Sequence, residues 1–76
     1  MNNLDIAKNV KPSYKGSLSH DLNMSSKEVA LYINPIIAEN RNISLEEAKK
    51  KSKLRPVEVV LFYNKIGEPL RDCTLV

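Results

Sequence analysis

The chain has little of the chemistry on which enzymes and metal sites depend. Its 76 residues include one cysteine, one histidine and no tryptophan. A single cysteine, Cys73, excludes an internal disulfide and a cysteine-cluster metal site, and His20 alone excludes a histidine-rich one. No pair of carboxylates accompanies either residue, whereas acid–base and nucleophilic catalysis need at least two groups that converge in a pocket. We therefore expect no enzymatic activity, no metal and no cofactor.

The chain also lacks a long apolar run. No stretch of about 18 apolar residues is present that could span a membrane, and no basic-then-apolar leader begins the sequence. We therefore expect a cytoplasmic protein with no membrane partner and no small-molecule substrate. A chain of this length buries only a small core, so a protein partner or a homodimer is expected.

Residues 42–69 carry the clearest local signals. Ser44 and Glu47 form a capping box, which marks the start of a helix. Pro56 fits the first position of a second helix, where its missing amide costs nothing. Gly67 ends that helix in the manner of a C-terminal cap. These signals predict a short helix, a basic turn and a second helix, which is the outline of a helix-turn-helix.

Apolar residues at three- and four-residue steps predict the core. In the second helix of the pair they are Val59, Phe62, Tyr63 and Ile66. Ser25 and Glu28 form another capping box, and the helix that they start carries Val29, Ile33, Ile36 and Ile37. Pro35 would remove a hydrogen bond inside that helix, so we predict a kink or a break at Asn34. Leu54 is expected to point into the angle between the helices of the pair.

Together these segments predict an all-α fold. Residues 24–70 would form a small bundle of three to four helices that contains the helix-turn-helix. Residues 1–23 show no sustained period and are interpreted as a flexible, disordered N-terminal arm, and residues 71–76 as a C-terminal tail. A rival interpretation stays open, in which the β-branched run Val57–Tyr63 pairs with Leu70–Val76 as a β-hairpin.

Part of the helical pair resembles a known family. The segment Ile43–Leu61 resembles the Leu-Thr-x-x-Glu-Ala-Ala…Gly-Val-Ser…Thr-Val-x-Arg pattern of the excisionase and MerR-type helix-turn-helix superfamily. Residues 62–67, Phe-Tyr-Asn-Lys-Ile-Gly, are similar to the Phe-Tyr-Glu-Lys-Ile-Gly ending of MerR recognition helices. Lys49, Lys53 and Arg55 stand where that pattern has small residues. The resemblance implies a small DNA-binding transcriptional regulator or accessory factor.

The distribution of charge is compatible with DNA. The net charge is only +3, but five basic residues lie within seven positions, and they are Lys49, Lys50, Lys51, Lys53 and Arg55. We expect them to hold phosphates, with binding that weakens steeply as salt rises, and we expect Asn64 and Lys65 to touch the groove. An ordinary solvated helix surface would show the same lysine run, and that interpretation also stays open.

The second helix is poorly equipped to read bases. Its expected outward positions are mainly apolar, and Glu58 would face phosphate with the wrong sign. Val57, Val60 and Leu61 would instead form an apolar strip that favours a protein partner or a second copy of the chain. The alternative function is therefore a protein-binding modulator, such as an adaptor, an antitoxin or an inhibitor. In the ordinary alternative, which also stays open, the kinked first helix or the C-terminal tail packs on Val57, Val60 and Leu61 and buries them.

The last four residues carry two short patterns. Cys73–Val76 formally satisfies a C-a-a-X prenylation box, and its end resembles the ligand of a PDZ domain. Both would require a eukaryotic setting, and a plain terminus with a free thiol is the ordinary alternative.

Overall fold

The structure is a computed structural model that describes residues 7–70, and this part of the chain is mostly helical. Its elements, in chain order, are β1 (Ser13–Tyr14), α1 (Lys15–Leu22), α2 (Ser26–Arg41), α3 (Leu45–Lys50), β2 (Lys53–Leu54) and α4 (Pro56–Ile66). The expected helical bundle is confirmed, and a two-stranded ribbon is added to it. Because residues 56–66 form a helix, the rival hairpin over residues 57–63 is wrong.

Helix α2 is the element on which the others pack. Helices α1, α3 and α4 all contact it. The core comprises Val10, Leu18, Val29, Ile33, Ile37, Ala48, Leu54, Val59, Val60, Phe62 and Tyr63. Both predicted apolar faces are confirmed, with Ile36 and Ile66 half-buried at their edges. Leu54 lies in the core as expected.

The predicted helix ends are also confirmed. The hydroxyl oxygens of Ser25 and Ser44 accept hydrogen bonds from the backbone amides three residues later, each at 3.2 Å. Pro56 occupies the first turn of α4. Gly67 caps that helix with φ +76°, a left-handed conformation that favours glycine. These local signals fix where three of the helices start or stop.

Pro35 does not break α2, so the predicted break at Asn34 is wrong. The helix runs through Pro35 from Ser26 to Arg41, and Asn34 is buried inside it. A proline inside a helix costs about 3 kcal/mol. Burial of Ile33 and Ile37 on either side of it returns roughly 1.5–3 kcal/mol each. Packing therefore outweighs the local preference.

The predicted flexible arm over residues 1–23 is wrong for its described part. Ser13 and Tyr14 pair with Leu54 and Lys53 respectively, in antiparallel register, and α1 follows directly. Leu18 is fully buried. An isolated apolar residue that fills a gap between helices leaves no periodic pattern, and this explains the error. The first six residues of the predicted arm, and the predicted tail with its Cys73–Val76 pattern, lie outside the described residues.

In residues 7–70, the helices α1 to α4 are between 6 and 16 residues long. None of them combines the length and the apolar character that crossing a bilayer requires.

Candidate nucleic-acid interface

The ribbon formed by β1 and β2 has an inner and an outer face. Residues directly opposite each other in an antiparallel pair project to the same side. Ser13 pairs with Leu54, which is buried, and Tyr14 pairs with Lys53. Tyr14 is 54% exposed and Lys53 is exposed as well. The outer face of the ribbon therefore presents an aromatic ring beside a lysine.

The basic residues continue along the same extended segment. Lys51 (φ −84°, ψ 128°) and Arg55 (φ −80°, ψ 153°) have extended backbones on either side of β2. Alternate side chains of an extended chain share a face and lie about 6.6 Å apart. Lys53 and Arg55 accordingly line one open groove of about 290 Å³ next to Pro12. We call Lys51, Lys53 and Arg55 the basic ribbon.

Most of the lysine cluster is available for a ligand. Lys49 Nζ lies 3.2 Å from Glu46 Oε1, and both side chains are exposed, so this ion pair is weak. Lys50 and all three residues of the basic ribbon are exposed. None of these four forms an ion pair within residues 7–70. Their charge is therefore not neutralised by the described part of the fold.

The backbone of the basic ribbon is held from inside by Arg41. Its Nη2 donates to the Lys53 carbonyl at 2.9 Å and to Glu58 Oε1 at 2.8 Å, while its Nε donates to Glu58 Oε2 at 2.8 Å. The carboxylate of Glu58 also accepts from Asn40 Nδ2 at 3.0 Å and from the Arg55 amide at 2.7 Å. Both carboxylate oxygens are thus saturated, and the residues that flank Leu54 are fixed in place.

These contacts decide the protonation state of the pair. Burial by itself would raise the pKa of Glu58. The hydrogen bonds from Arg41, the Arg55 amide and Asn40, together with the Arg41 charge, outweigh burial and hold the pKa below its usual value. The same hydrogen bonding raises the pKa of Arg41. The pair is therefore ionised in the folded protein.

Lys15 makes a second internal contact behind the ribbon. Its Nζ donates to Asn34 Oδ1 at 2.6 Å and to the Ala48 carbonyl at 3.1 Å, while its amide donates to the Ser52 carbonyl at 2.9 Å. Partial burial lowers the pKa of Lys15, and the nearby charge of Arg41 lowers it further. Lys15 thus ties α1 to α2, to α3 and to the segment that leads into β2.

The remaining residues predicted to bind DNA lie elsewhere. Asn64 and Lys65 are near the far end of α4, about 14 Å along its axis from Arg55 at 1.5 Å per residue. They line a separate open groove of about 680 Å³ between α2 and α4, together with Ile36, Glu39, Asn40 and Leu61. The five clustered basic residues are therefore all exposed within residues 49–55, and only Lys53 and Arg55 are seen to share a groove, while Asn64 and Lys65 line a different one.

The predicted apolar strip is wrong for Val60, which is buried in the core. Helix α4 is covered on more sides than the pattern predicted, so only Val57 and Leu61 remain half-exposed. The expectation that Glu58 faces phosphate is wrong too, because its side chain is fully buried against Arg41. Glutamate at the third position of a helix is a capping signal, and this signal could have indicated that Glu58 turns toward the start of α4 and not toward phosphate.

His20 does not contribute to a metal site in the described residues. Its side chain is 91% exposed, and Nδ1 lies 3.6 Å from Asp21 Oδ1. Across residues 7–70, no three His, Cys, Asp or Glu side chains converge where they could hold a metal ion. Cys73 lies outside this range.

Comparison with protein-family models, with curated proteins and with solved structures found no match for this chain.

Proposed function

We propose that this protein binds nucleic acid through the phosphate backbone and serves in the cytoplasm as a small DNA-binding regulator or accessory factor. The observation that carries this proposal is the basic ribbon. Lys51, Lys53 and Arg55 are exposed and form no ion pair within residues 7–70, and Arg41 binds the backbone of Lys53 between them. Cations on a rigid, extended segment can follow a line of phosphates at a small entropic cost. Lys49 and Lys50 directly precede the basic ribbon in the chain and are exposed as well.

Contact with phosphates fits this surface better than base readout. Base edges are read mainly by Arg, Lys, Asn and Gln in the groove. The first residues of α4 are Pro56 and Val57, and the carboxylate of Glu58 is buried. A helix-turn-helix made of α3 and α4, as the excisionase and MerR-type resemblance implies, would therefore position the protein on DNA and add little sequence discrimination.

Salt-dependent binding to labelled DNA of random sequence tests the proposal. Five phosphate contacts would give a slope of about −4.5 for log K against log salt on a duplex, since each contact contributes about −0.9. Changing Lys51→Gln and Lys53→Gln together should reduce the steepness by about 2, because each lost phosphate contact removes roughly one from the slope.

The matched control changes Lys27→Gln and Lys65→Gln, which removes the same charge at exposed positions away from the ribbon. We expect this double variant to bind nearly as the parent does. Undetectable binding to both duplex and single-stranded DNA at low salt would rule the proposal out. If both double variants lost the same amount of affinity for DNA, total charge and not the position of the basic ribbon would govern binding.

A second candidate function is favoured by the groove between α2 and α4. Ile36 and Leu61 are half-buried there, and they are flanked by Glu39 and Lys65, which form no ion pair within residues 7–70. Such a surface suits an adaptor, antitoxin or inhibitor that binds a protein or a second copy of this chain. Leu61→Asp should abolish such an interaction. If the variant still bound every partner and still formed any dimer, this groove would be excluded as the protein-binding site.

A further inference from the structure

The tyrosine on the outer face of the ribbon does not belong to the hydrophobic core. Tyr14 lies opposite Lys53 on the outer face, with 54% of its surface accessible. It precedes α1 without making a side-chain capping bond. The ring of Tyr14 is therefore neither part of the core nor a cap for α1, and it lies beside Lys53, to which we assign phosphate binding.

The ring also forms one wall of an open cleft. This cleft has a volume of about 410 Å³ and lies between residues 11–14 and α1, where Lys11, Ser17, His20 and Asp21 supply polar groups. The Asp21 carboxylate lies 3.6 Å from His20 Nδ1. Gly16 lines it without a side chain, and even an added Cβ would meet nothing within 4 Å. The cleft therefore offers a flat aromatic wall, hydrogen-bonding side chains and room for a planar ring.

We propose that the basic ribbon prefers single-stranded nucleic acid, with one unpaired base stacked on Tyr14 in this cleft and the neighbouring phosphates on Lys53 and Arg55. An aromatic ring next to a positively charged track is the arrangement that holds single strands, because every base has a face on which a ring can stack. A duplex offers the same phosphates, but its base faces are covered by their neighbours. This preference presupposes the proposed function and names its substrate class.

Competitive binding to short oligonucleotides tests the preference. At one salt concentration, labelled dT12 and rU12 are compared with a 12-base-pair duplex of random sequence by fluorescence anisotropy. We expect dT12 to bind at least about tenfold more tightly than the duplex, since a base stacked on an aromatic ring adds to the phosphate contacts. The ratio of dT12 to rU12 then shows whether DNA or RNA is the better ligand.

Three tyrosine variants make the test specific. Tyr14→Leu should lose about tenfold in affinity for dT12 and keep its affinity for the duplex, since stacking on one base is lost and the phosphate contacts remain. Tyr14→Phe should retain the parent affinity. Tyr32→Leu is the matched control, because Tyr32 is also an exposed tyrosine but lies on α2. Far-UV circular dichroism of each variant verifies the fold.

Intrinsic tyrosine fluorescence gives a reading that needs no variant. The chain has no tryptophan, so stacking of a base on Tyr14 should quench a measurable part of the emission when dT12 is added. Absent quenching, together with equal affinity for dT12 and duplex, would overturn the single-strand preference and leave the proposed function standing. Absent binding to every nucleic acid would overturn both.

Discussion

Two groups of basic side chains in this protein have opposite surroundings. Lys15 and Arg41 point inward, where they donate to buried or half-buried oxygens of other elements. Lys53 lies on the outer face of the two-stranded ribbon, Lys51 and Arg55 are exposed on either side of β2, and none of the three contacts a carboxylate within the described residues. The groups meet at Lys53, whose carbonyl accepts from Arg41 while its side chain points away.

The difference separates charges that hold the fold from charges that can hold a ligand. An inward cation that is removed leaves oxygen atoms without donors, which costs stability. An outward cation that is removed leaves nothing unsatisfied and relieves repulsion between like charges. Inner variants should therefore lose stability, and outer variants should lose binding alone.

The largest expected effect follows from Glu58→Ala. This change leaves the Arg41 guanidinium without its partner in a mostly buried setting, and breaking such a pair costs about 3–5 kcal/mol. Urea unfolding followed by circular dichroism measures it. Glu39→Ala, on the exposed surface of α2, is the control and should leave the unfolding midpoint unchanged. If Glu58→Ala and Glu39→Ala unfolded at similar urea concentrations, the contact between Arg41 and Glu58 would not stabilise the fold, and the inner group would not differ from the outer one.

A smaller loss is expected from Lys15→Ala. Asn34 Oδ1, in a residue that is only 7% exposed, and the Ala48 carbonyl would each lose a donor. An oxygen left in that state costs roughly 1–3 kcal/mol, partly offset here by releasing a half-buried charge. The double variant Lys15→Met with Asn34→Leu should recover part of the loss. If it were less stable than Lys15→Ala, the hydrogen bond would not be the cause.

A smaller loss of stability than in these variants is expected when acid protonates Glu58, the partner of Arg41 in the inner group. The pKa of Glu58 is lower in the folded chain than its ordinary value of about 4.3. Its contribution to the free energy of unfolding is therefore complete above that value and is lost as pH falls through the folded pKa. Unfolding midpoints measured from pH 6 to pH 2 should show this loss. In Glu58→Gln the corresponding part of the pH dependence should be absent, and an unchanged profile would contradict the assignment.

The smallest effect on stability is expected from Lys53→Gln. The backbone carbonyl that binds Arg41 is retained, so the unfolding midpoint should match that of the parent protein, while the salt dependence of nucleic-acid binding becomes shallower by about one unit of slope. Calorimetry and anisotropy on the same sample separate the two readings. A clear drop in midpoint would place Lys53 with the inner group.

The sequence signals that succeeded are local. Each of these signals acts on backbone groups within four residues, so it can be recognised from the sequence alone. They are the serines at positions 25 and 44, Pro56 and Gly67. The apolar steps in α2 and α4 are equally local. From these signals the starts of α2, α3 and α4 and the end of α4 could be predicted, whereas the continuity of α2 through Pro35 could not.

The signals that failed depend on partners distant in sequence. Tyr14 reaches Lys53 across 39 residues through a ribbon of two residues per strand, too short to leave an alternating pattern. Glu58 is buried only because Arg41 lies 17 residues before it. Val60 is buried because α4 is enclosed on more than one side. Pairing and enclosure of this kind follow from packing, which no single segment encodes.

The most direct test of the account is to locate the nucleic-acid contact by amide chemical-shift mapping on the isotopically labelled protein. Addition of dT12 should perturb the amides of Tyr14 and of residues 51–55 most strongly, and leave those around Ile36, Leu61 and Lys65 nearly unchanged. Perturbations that gather in the groove between α2 and α4, with the ribbon unaffected, would contradict the assignment of the outer basic group to ligand binding.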